Sequence, residues 1–300
     1  MQLTLGPVLY YWPKARLDAF YAAVAAAPVD RVYLGEAVCS RRHEYRTADW
    51  LDAAARLADA GKEVVLSAQV LMESESDLKT LRRIAAEGRF QLEANDMSAV
   101  NVVAGRTPFV AGPHLNVYNA PTLAFFASLG AERWVPPVEM PRASLAAVVA
   151  AKPQGVATEV FAYGRLPLAF SARCFTARHY DLPKDDCRFR CLEHPDGLPL
   201  ATRDGEPFLV LNGIQTQSYR VLSLVEALPE MRAVGVDAVR LSPQSERMDE
   251  VIAVFRGALA GRSVADAARA LEPLLPASAC NGYWHGRPGL EQVARAEARP

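Results

Sequence analysis

Asp49-Trp50-Leu51-Asp52-Ala53-Ala54-Ala55-Arg56-Leu57-Ala58-Asp59-Ala60-Gly61-Lys62-Glu63-Val64-Val65-Leu66-Ser67-Ala68-Gln69 holds, in one stretch, the unit from which the fold is built. Asp49 to Ala60 has a helical pattern and is closed by Gly61, a residue that takes the left-handed turn after a helix without a Cβ penalty. Glu63 to Gln69 is then a short, largely apolar run, the pattern of a parallel strand covered on both faces. The alternation recurs along the chain. Strands are expected at Leu3–Val8, Arg31–Gly35, Phe90–Asn95, Phe109–Asn116, Trp134–Glu139, Ala157–Tyr163 and Ala238–Ser242. Pro13 opens a helix that places Leu17, Phe20, Tyr21 and Val24 on one face. Ser74 with Asp77 forms a capping box ahead of Leu78, Leu81 and Ile84. Asn119 and Pro121 open another helix, which runs to Gly130.

Eight strands alternating with helices predict an α/β fold, a TIM-like (β/α)8 barrel, with a doubly wound sheet as the alternative. The rhythm breaks once, between the last two strands. Residues 171–217 form an excursion that carries Cys, Pro, Asp and Gly. It includes a hairpin of Leu198–Thr202 and Phe208–Asn212 around Arg203-Asp204-Gly205-Glu206. Insertions at the C-terminal ends of barrel strands are where such folds keep their chemistry. The expected organisation is a single domain over residues 1–285, followed by a polar, loosely held tail over 286–300.

The chain has 300 residues, 33 basic and 34 acidic, for a formal net charge of −1. So even a balance disfavours a nucleic-acid partner. The opening Met-Gln-Leu-Thr-Leu-Gly lacks the features of a secretory signal, and no apolar run approaches the ~20 residues of a transmembrane segment. A soluble cytoplasmic protein is expected. In that compartment thiols stay reduced, so five cysteines point to metal ligands, catalytic thiols or buried side chains rather than to disulfides.

Three of them, Cys174, Cys187 and Cys191, fall inside the excursion, separated by twelve and then three residues. Soft thiolates select zinc, Cu(I) or iron–sulfur groups over hard cations. Cys39 lies just past the strand that ends at Gly35, which in a barrel is the rim from which the excursion leaves. Four thiolates could then share one site, a 4Fe–4S cluster or a tetrahedral zinc; the spacing leaves the two open. Any single buried cysteine can equally serve as a small apolar residue. Cys280, near the tail and away from the rim, is expected to do so.

The stretch Glu159-Val160-Phe161-Ala162-Tyr163-Gly164-Arg165-Leu166-Pro167, followed by Cys174, resembles the signature of the collagenase-like peptidase family, peptidase family U thirty-two. That signature reads Glu-Val-Phe-x-His-Gly-x-Leu-Cys, with a second cysteine seven residues later. Here Tyr163 stands for the His and Pro167 for the first Cys, while Cys174 is kept. Loss of the first cysteine should break a cluster site of the UbiU type unless another thiolate replaces it. The sequence resembles the UbiV branch of the family, in which an N-terminal cysteine joins three in the excursion, at Gly35-Glu36-Ala37-Val38-Cys39-Ser40-Arg41-Arg42 and at the Leu3, Gly6, Pro7 opening. The resemblance implies a barrel and a 4Fe–4S cluster on Cys39, Cys174, Cys187 and Cys191. It also implies a heterodimer with a UbiU-like partner and hydroxylation of ubiquinone precursors without O2. Prephenate would be the oxygen donor, and the precursor or its lipid-carrier protein a further partner.

Glu159, taken as a rim carboxylate, and Arg173, next to a ligand, are the catalytic candidates: one for proton handling, one for binding an anionic donor. His114, Asn116, Asn95 and Asp96 would line a pocket at strand ends, while His43 and His179 would support ligands. Glu139, after a Pro-Pro pair, is expected to be structural. Neither a Gly-x-Ser-x-Gly elbow nor a His-Glu-x-x-His helix is present, so the family name does not by itself imply peptidase chemistry. Two alternatives stand beside the hydroxylase: a scaffold in which the cluster only staples the excursion, and a metal-dependent hydrolase.

Overall fold

The computed structural model describes residues 1–294. Seven strands come first: β1 (Gln2–Leu5), β2 (Arg31–Leu34), β3 (Glu63–Ser67), β4 (Gln91–Ala94), β5 (Phe109–Ala111), β6 (Ala131–Trp134) and β7 (Ala157–Phe170). There follow β8 (Leu198–Ala201), β9 (Pro207–Asn212), β10 (Gln215–Ser223), β11 (Ala238–Leu241) and β12 (Ala279–Cys280). The first helices are α1 (Lys14–Ala26), α2 (Thr47–Asp59), α3 (Glu75–Ala86), α4 (Met97–Val103), α5 (Ala120–Ser128) and α6 (Arg142–Ala151). The last four are α7 (Phe175–His179), α8 (Leu228–Val234), α9 (Met248–Leu259) and α10 (Val264–Leu271).

Strands β1 to β7 pair in sequence order, all in parallel, and β11 pairs in parallel with both β1 and β7. That double pairing closes an eight-stranded TIM-like barrel and rules out the doubly wound sheet. Successive side chains alternate between its two faces. Leu34, Leu66, Phe109 and Trp134 point outward into the core shared with the helices, whereas Tyr33, Val65, Val110 and Val135 form a separate apolar cluster. Truncating a buried leucine of this kind to alanine costs about 2–5 kcal/mol.

Local signals act where expected. The Ser74 hydroxyl accepts from Asp77 N–H (3.2 Å) and starts α3, and the Asn119 side chain accepts from Thr122 N–H (2.9 Å) and starts α5. Several boundaries differ from expectation. β5 stops at Ala111 because Pro113 turns the chain, and Asn116 sits in the left-handed region (φ 56°). β6 lies at Ala131–Trp134, ahead of the Pro136-Pro137 pair that cannot donate to a ladder.

The largest difference is β7, which continues to Phe170 instead of ending at Tyr163. Its first part pairs in parallel with β6 and β11; its second part pairs antiparallel with β10. The switch occurs at Gly164 (φ +126°), where a Cβ would come within 2.5 Å of Ser242 Cβ. β7 thus carries the chain out of the barrel and into the excursion. The hairpin is β8–β9, extended by β10 into an antiparallel arm, and β12 adds beside β10. The tail expected to be loose from Gly286 is tied down where it is described. Asn281 N–H donates to Glu291 C=O (3.0 Å), and the Asn281 side chain pairs with both backbone groups of Val293. Residues 295–300 lie outside the described residues.

Candidate metal centre

Cys39 is held in the loop after β2 by Glu36, whose Oε1 accepts the N–H groups of both Val38 and Cys39 at 3.0 Å. Cys174 stands at the start of α7, and its Sγ accepts the Ala177 N–H at 3.3 Å. Cys187 follows the first of two short 3-10 turns, Lys184–Asp186, and Cys191 lies within the second, Arg190–Glu193. Backbone bonds fasten the excursion to the β9–β10 turn: Ser171 N–H to Ile214 C=O (3.0 Å) and Phe175 N–H to Gly213 C=O (2.8 Å). Arg41 then reaches from the Cys39 loop to the Asp185 carbonyl (2.7 Å), two residues before Cys187.

The result is one site. Cys39 and Cys174 share an apolar cluster with Leu9, Val38, Phe170 and Ile214. Cys174 is close enough to Cys39, Cys187 and Cys191 for charge on one thiol to act on the others. Burial raises the pKa of the Cys39 thiol to about 11, and burial likewise raises Cys174 and Cys191. A metal or cluster that binds such thiols must displace their protons.

The opposing influence is Arg42. The residue is only 4% exposed, and its side chain donates to Leu9 C=O and Asn212 Oδ1, both at 2.7 Å, with Glu36 Oε1 at 3.5 Å. The guanidinium acts on Cys39, Cys174 and Cys191, favouring their thiolates, and its Nε has no partner among the described residues. A buried cation beside converging thiols is the environment in which thiolate ligands form. Arg42 was the signal to find: it lies three residues after Cys39, in the same short motif.

Four soft donors and an adjacent buried cation fit an iron–sulfur group. Among the described residues no three His, Cys, Asp or Glu side chains are disposed to hold a metal ion. That observation concerns a single ion, whose tetrahedral bonds of about 2.3 Å draw the sulfurs tightly together. A polynuclear cluster offers each thiolate its own iron and takes a wider set.

A family model, Peptidase family U32, matches residues 15–293, nearly the whole chain. The chain belongs to peptidase family U32. A solved U32 peptidase is 13% identical over 81% of this chain and 93% of its own, with a TM-score of 0.46. Dihydropteroate synthase from Thermus thermophilus is 14% identical over 85% of this chain and 94% of its own, at a TM-score of 0.42. Dihydrodipicolinate synthase from Aquifex aeolicus is 8% identical, covering 91% and 80%, at 0.40.

In this U32 family member Glu159 is not at the rim. It is the third residue of the long β7, fully buried near the strand's start. Its Oε1 accepts from Thr4 Oγ1 (2.8 Å) and Arg240 Nε (2.7 Å), and its Oε2 from Tyr33 OH (2.8 Å) and Arg133 (3.1 Å). Burial works to raise its pKa, but Arg240 and Arg133 outweigh burial and hold the carboxyl below its usual range. A carboxylate saturated by four donors is built to hold the barrel interior together. Arg240 also donates to Glu93 (2.6 Å), which in turn accepts from Ser67 (2.7 Å).

Arg173 is exposed on the outside of the excursion, so the buried guanidinium beside the thiols is Arg42 instead. His114 packs edge-on against Phe170 with ring centroids 5.0 Å apart. Burial, aided by Arg240, lowers its pKa to about 4, which leaves it neutral at pH 7. Asn95 is buried and donates to Ala68 C=O (3.1 Å), Asp96 caps α4, and Asn116 is exposed. The His43 ring packs edge-on near Phe189, and His179 sits against Tyr180. Sequence reasoning passed over His194, whose Nε2 lies 2.7 Å from Tyr180 OH inside the excursion. Glu139 accepts from Tyr118 OH, and Cys280 is buried in β12 beside β10.

Proposed function

We propose that this chain is the iron–sulfur subunit of an oxygen-independent hydroxylase that acts on ubiquinone precursors with a UbiU-like partner. The observation that carries the reading is the convergence of Cys39, Cys174, Cys187 and Cys191 beside the buried Arg42. Those four thiolates would hold a 4Fe–4S cluster, which when bound supplies one-electron chemistry. Arg42 offsets the negative charge of the thiolates, and the Ala177 N–H bond to Cys174 Sγ favours the ionised sulfur. Leu9, Phe170 and Ile214 keep water from the inner side of the site. Arg173, exposed next to Cys174, would meet an anionic oxygen donor such as prephenate. Apolar side chains exposed on the arm and on late β7, Leu168, Leu200 and Phe208, are the surface we assign to the partner.

A second reading is favoured by the excursion's own backbone. Asp181, Arg188 and Phe189 all adopt positive φ, and between Cys174 and Leu198 regular structure is limited to α7 and two 3-10 turns. A cluster joining four points of such a segment could serve as a staple, with the chemistry in the partner. Absorption spectra and iron content of the anaerobically purified chain test the shared claim; a colourless, iron-free protein would overturn both readings. Cells lacking the gene should make normal ubiquinone in air and little without oxygen. Unchanged anaerobic ubiquinone would remove the hydroxylase role even with a cluster present. Hydroxylation by a cluster-free chain paired with a loaded partner would select the staple.

A further inference from the structure

The four thiols divide into two pairs that belong to differently held parts of the chain. Cys39 is buried in the loop after β2, and Cys174 is followed by the buried Thr176 and Ala177. Cys187 and Cys191 lie in a stretch, residues 178–209, in which no residue is buried. Between residues 183 and 194 the backbone bonds to itself. Asp186 N–H donates to Pro183 C=O (3.2 Å), Arg190 to Cys187 (3.3 Å), Leu192 to Phe189 (2.9 Å) and His194 to Cys191 (3.2 Å). No other backbone-to-backbone bond ties 183–193 to the rest of the described residues. The segment is closed at its base, where Tyr180 OH and His194 Nε2 are 2.7 Å apart, their rings stack, and the Arg190 guanidinium lies 4.4 Å from the Tyr180 ring centroid. A compact surface loop whose ends meet in this way is an Ω-loop, and its lack of buried contacts puts it at the low end of local stability.

What holds this loop down is side chains alone. Lys184 Nζ donates to Glu73 Oε1 (2.6 Å), just ahead of α3, and to Ala172 C=O (2.8 Å); both side chains of the ion pair are 22% exposed. Arg41, from the Cys39 loop, donates to Asp185 C=O (2.7 Å). The Phe189 ring lies against Tyr11 and His43, with centroids 5.8 and 6.5 Å apart. Arg188 and Phe189 take left-handed φ of 50° and 51°, which residues other than glycine adopt only where their surroundings hold them. We propose that residues 183–193 are a hinged flap that opens about the Tyr180–His194 base and carries Cys187 and Cys191 away from Cys39 and Cys174, with Lys184–Glu73 as its latch. The open flap is the route by which the iron–sulfur group enters and leaves. On closure each flap thiol exchanges its proton for a bond to iron, with no change of oxidation state. The route rests on the reading that the four thiols hold that group; the motion of the flap does not.

The test is hydrogen exchange, read by mass spectrometry, on the full chain stripped of iron and on the same chain reloaded anaerobically with iron and sulfide. In the stripped chain the amides of 183–193 should exchange at least about tenfold faster than in the reloaded chain, while those of the barrel strands stay as they were. Lys184→Met changes no thiol. It should speed both the exchange of the flap and the loss of iron to a chelator about threefold, the worth of one partly exposed ion pair. Lys184→Glu combined with Glu73→Lys should recover most of that difference, which unspecific damage from either change would not allow. Exchange of 183–193 that is slow in the stripped chain, or indifferent to Lys184→Met, would overturn the flap. Iron loss at the wild-type rate from a variant whose flap exchanges faster would overturn the route. A chain that takes up no iron yet shows latch-dependent exchange would fail the cluster reading and uphold the flap.

Discussion

Replacing Glu159 by Gln should destabilise the barrel, because this carboxylate neutralises two buried arginines from its place in the lumen. Four donors converge on its two oxygens, and the contacts to Arg240 (2.7 Å) and Arg133 (3.1 Å) are charge-assisted. An amide keeps the volume but removes the charge, and it turns its NH2 toward two of the four donors. Removing one partner of a buried ion pair costs about 3–5 kcal/mol, since the remaining charge stays desolvated. Arg240 keeps its bond to Glu93 at 2.6 Å, which places the expected loss near about 3 kcal/mol. A 300-residue chain unfolds with an entropy of about 0.6 kcal/mol/K, so the melting temperature should fall by about 5 °C. Differential scanning calorimetry under anaerobic conditions measures this directly. A melting temperature within about 1 °C of the wild type, together with lost hydroxylation, would refute the structural role and restore Glu159 as a catalytic group.

Other expectations concern the cysteine site and its surroundings. Cys39→Ser, Cys174→Ser, Cys187→Ser and Cys191→Ser should each lower bound iron and bleach the visible spectrum, while Cys280→Ala should leave iron content unchanged; equal iron in the Cys39→Ser protein would remove the fourth ligand. Arg42→Met should both destabilise the chain, by stranding Asn212 and Glu36, and speed loss of iron to a chelator. Chelator kinetics indistinguishable from wild type would show that its charge does not act on the thiolates. His114 carries the pH dependence. Its pKa in the fold, about 4, lies below its unfolded value, so the unfolded state binds the extra proton between about pH 6.5 and 4. Stability should therefore fall as pH drops through that window, by at most about 3 kcal/mol. Urea titrations of His114→Gln should show a flatter profile over the same range.

Much of this molecule was legible along the chain. The barrel followed from the alternation of capped helices and short apolar strands, because burial on both faces and helix ends are local properties of side chains at known spacing. The excursion and its hairpin were visible because Gly, Pro and Asp interrupt that rhythm. Cys174, Cys187 and Cys191 could be grouped because they fall in the one segment that interrupts the barrel rhythm. Three-dimensional structure decided what local pattern cannot encode. β7 runs on to Phe170 because its far half finds a partner in β10, far along the chain, while Glu159, near the strand's start, is turned into the barrel where Thr4, Tyr33, Arg133 and Arg240 meet it. Arg173 is a sequence neighbour of Cys174 yet is exposed, whereas Arg42 reaches the thiols because Asn212 and the Leu9 carbonyl, far apart along the chain, fix its guanidinium there. Adjacency in sequence sets which groups can meet at the next turn; only packing sets which charge is desolvated beside which thiol.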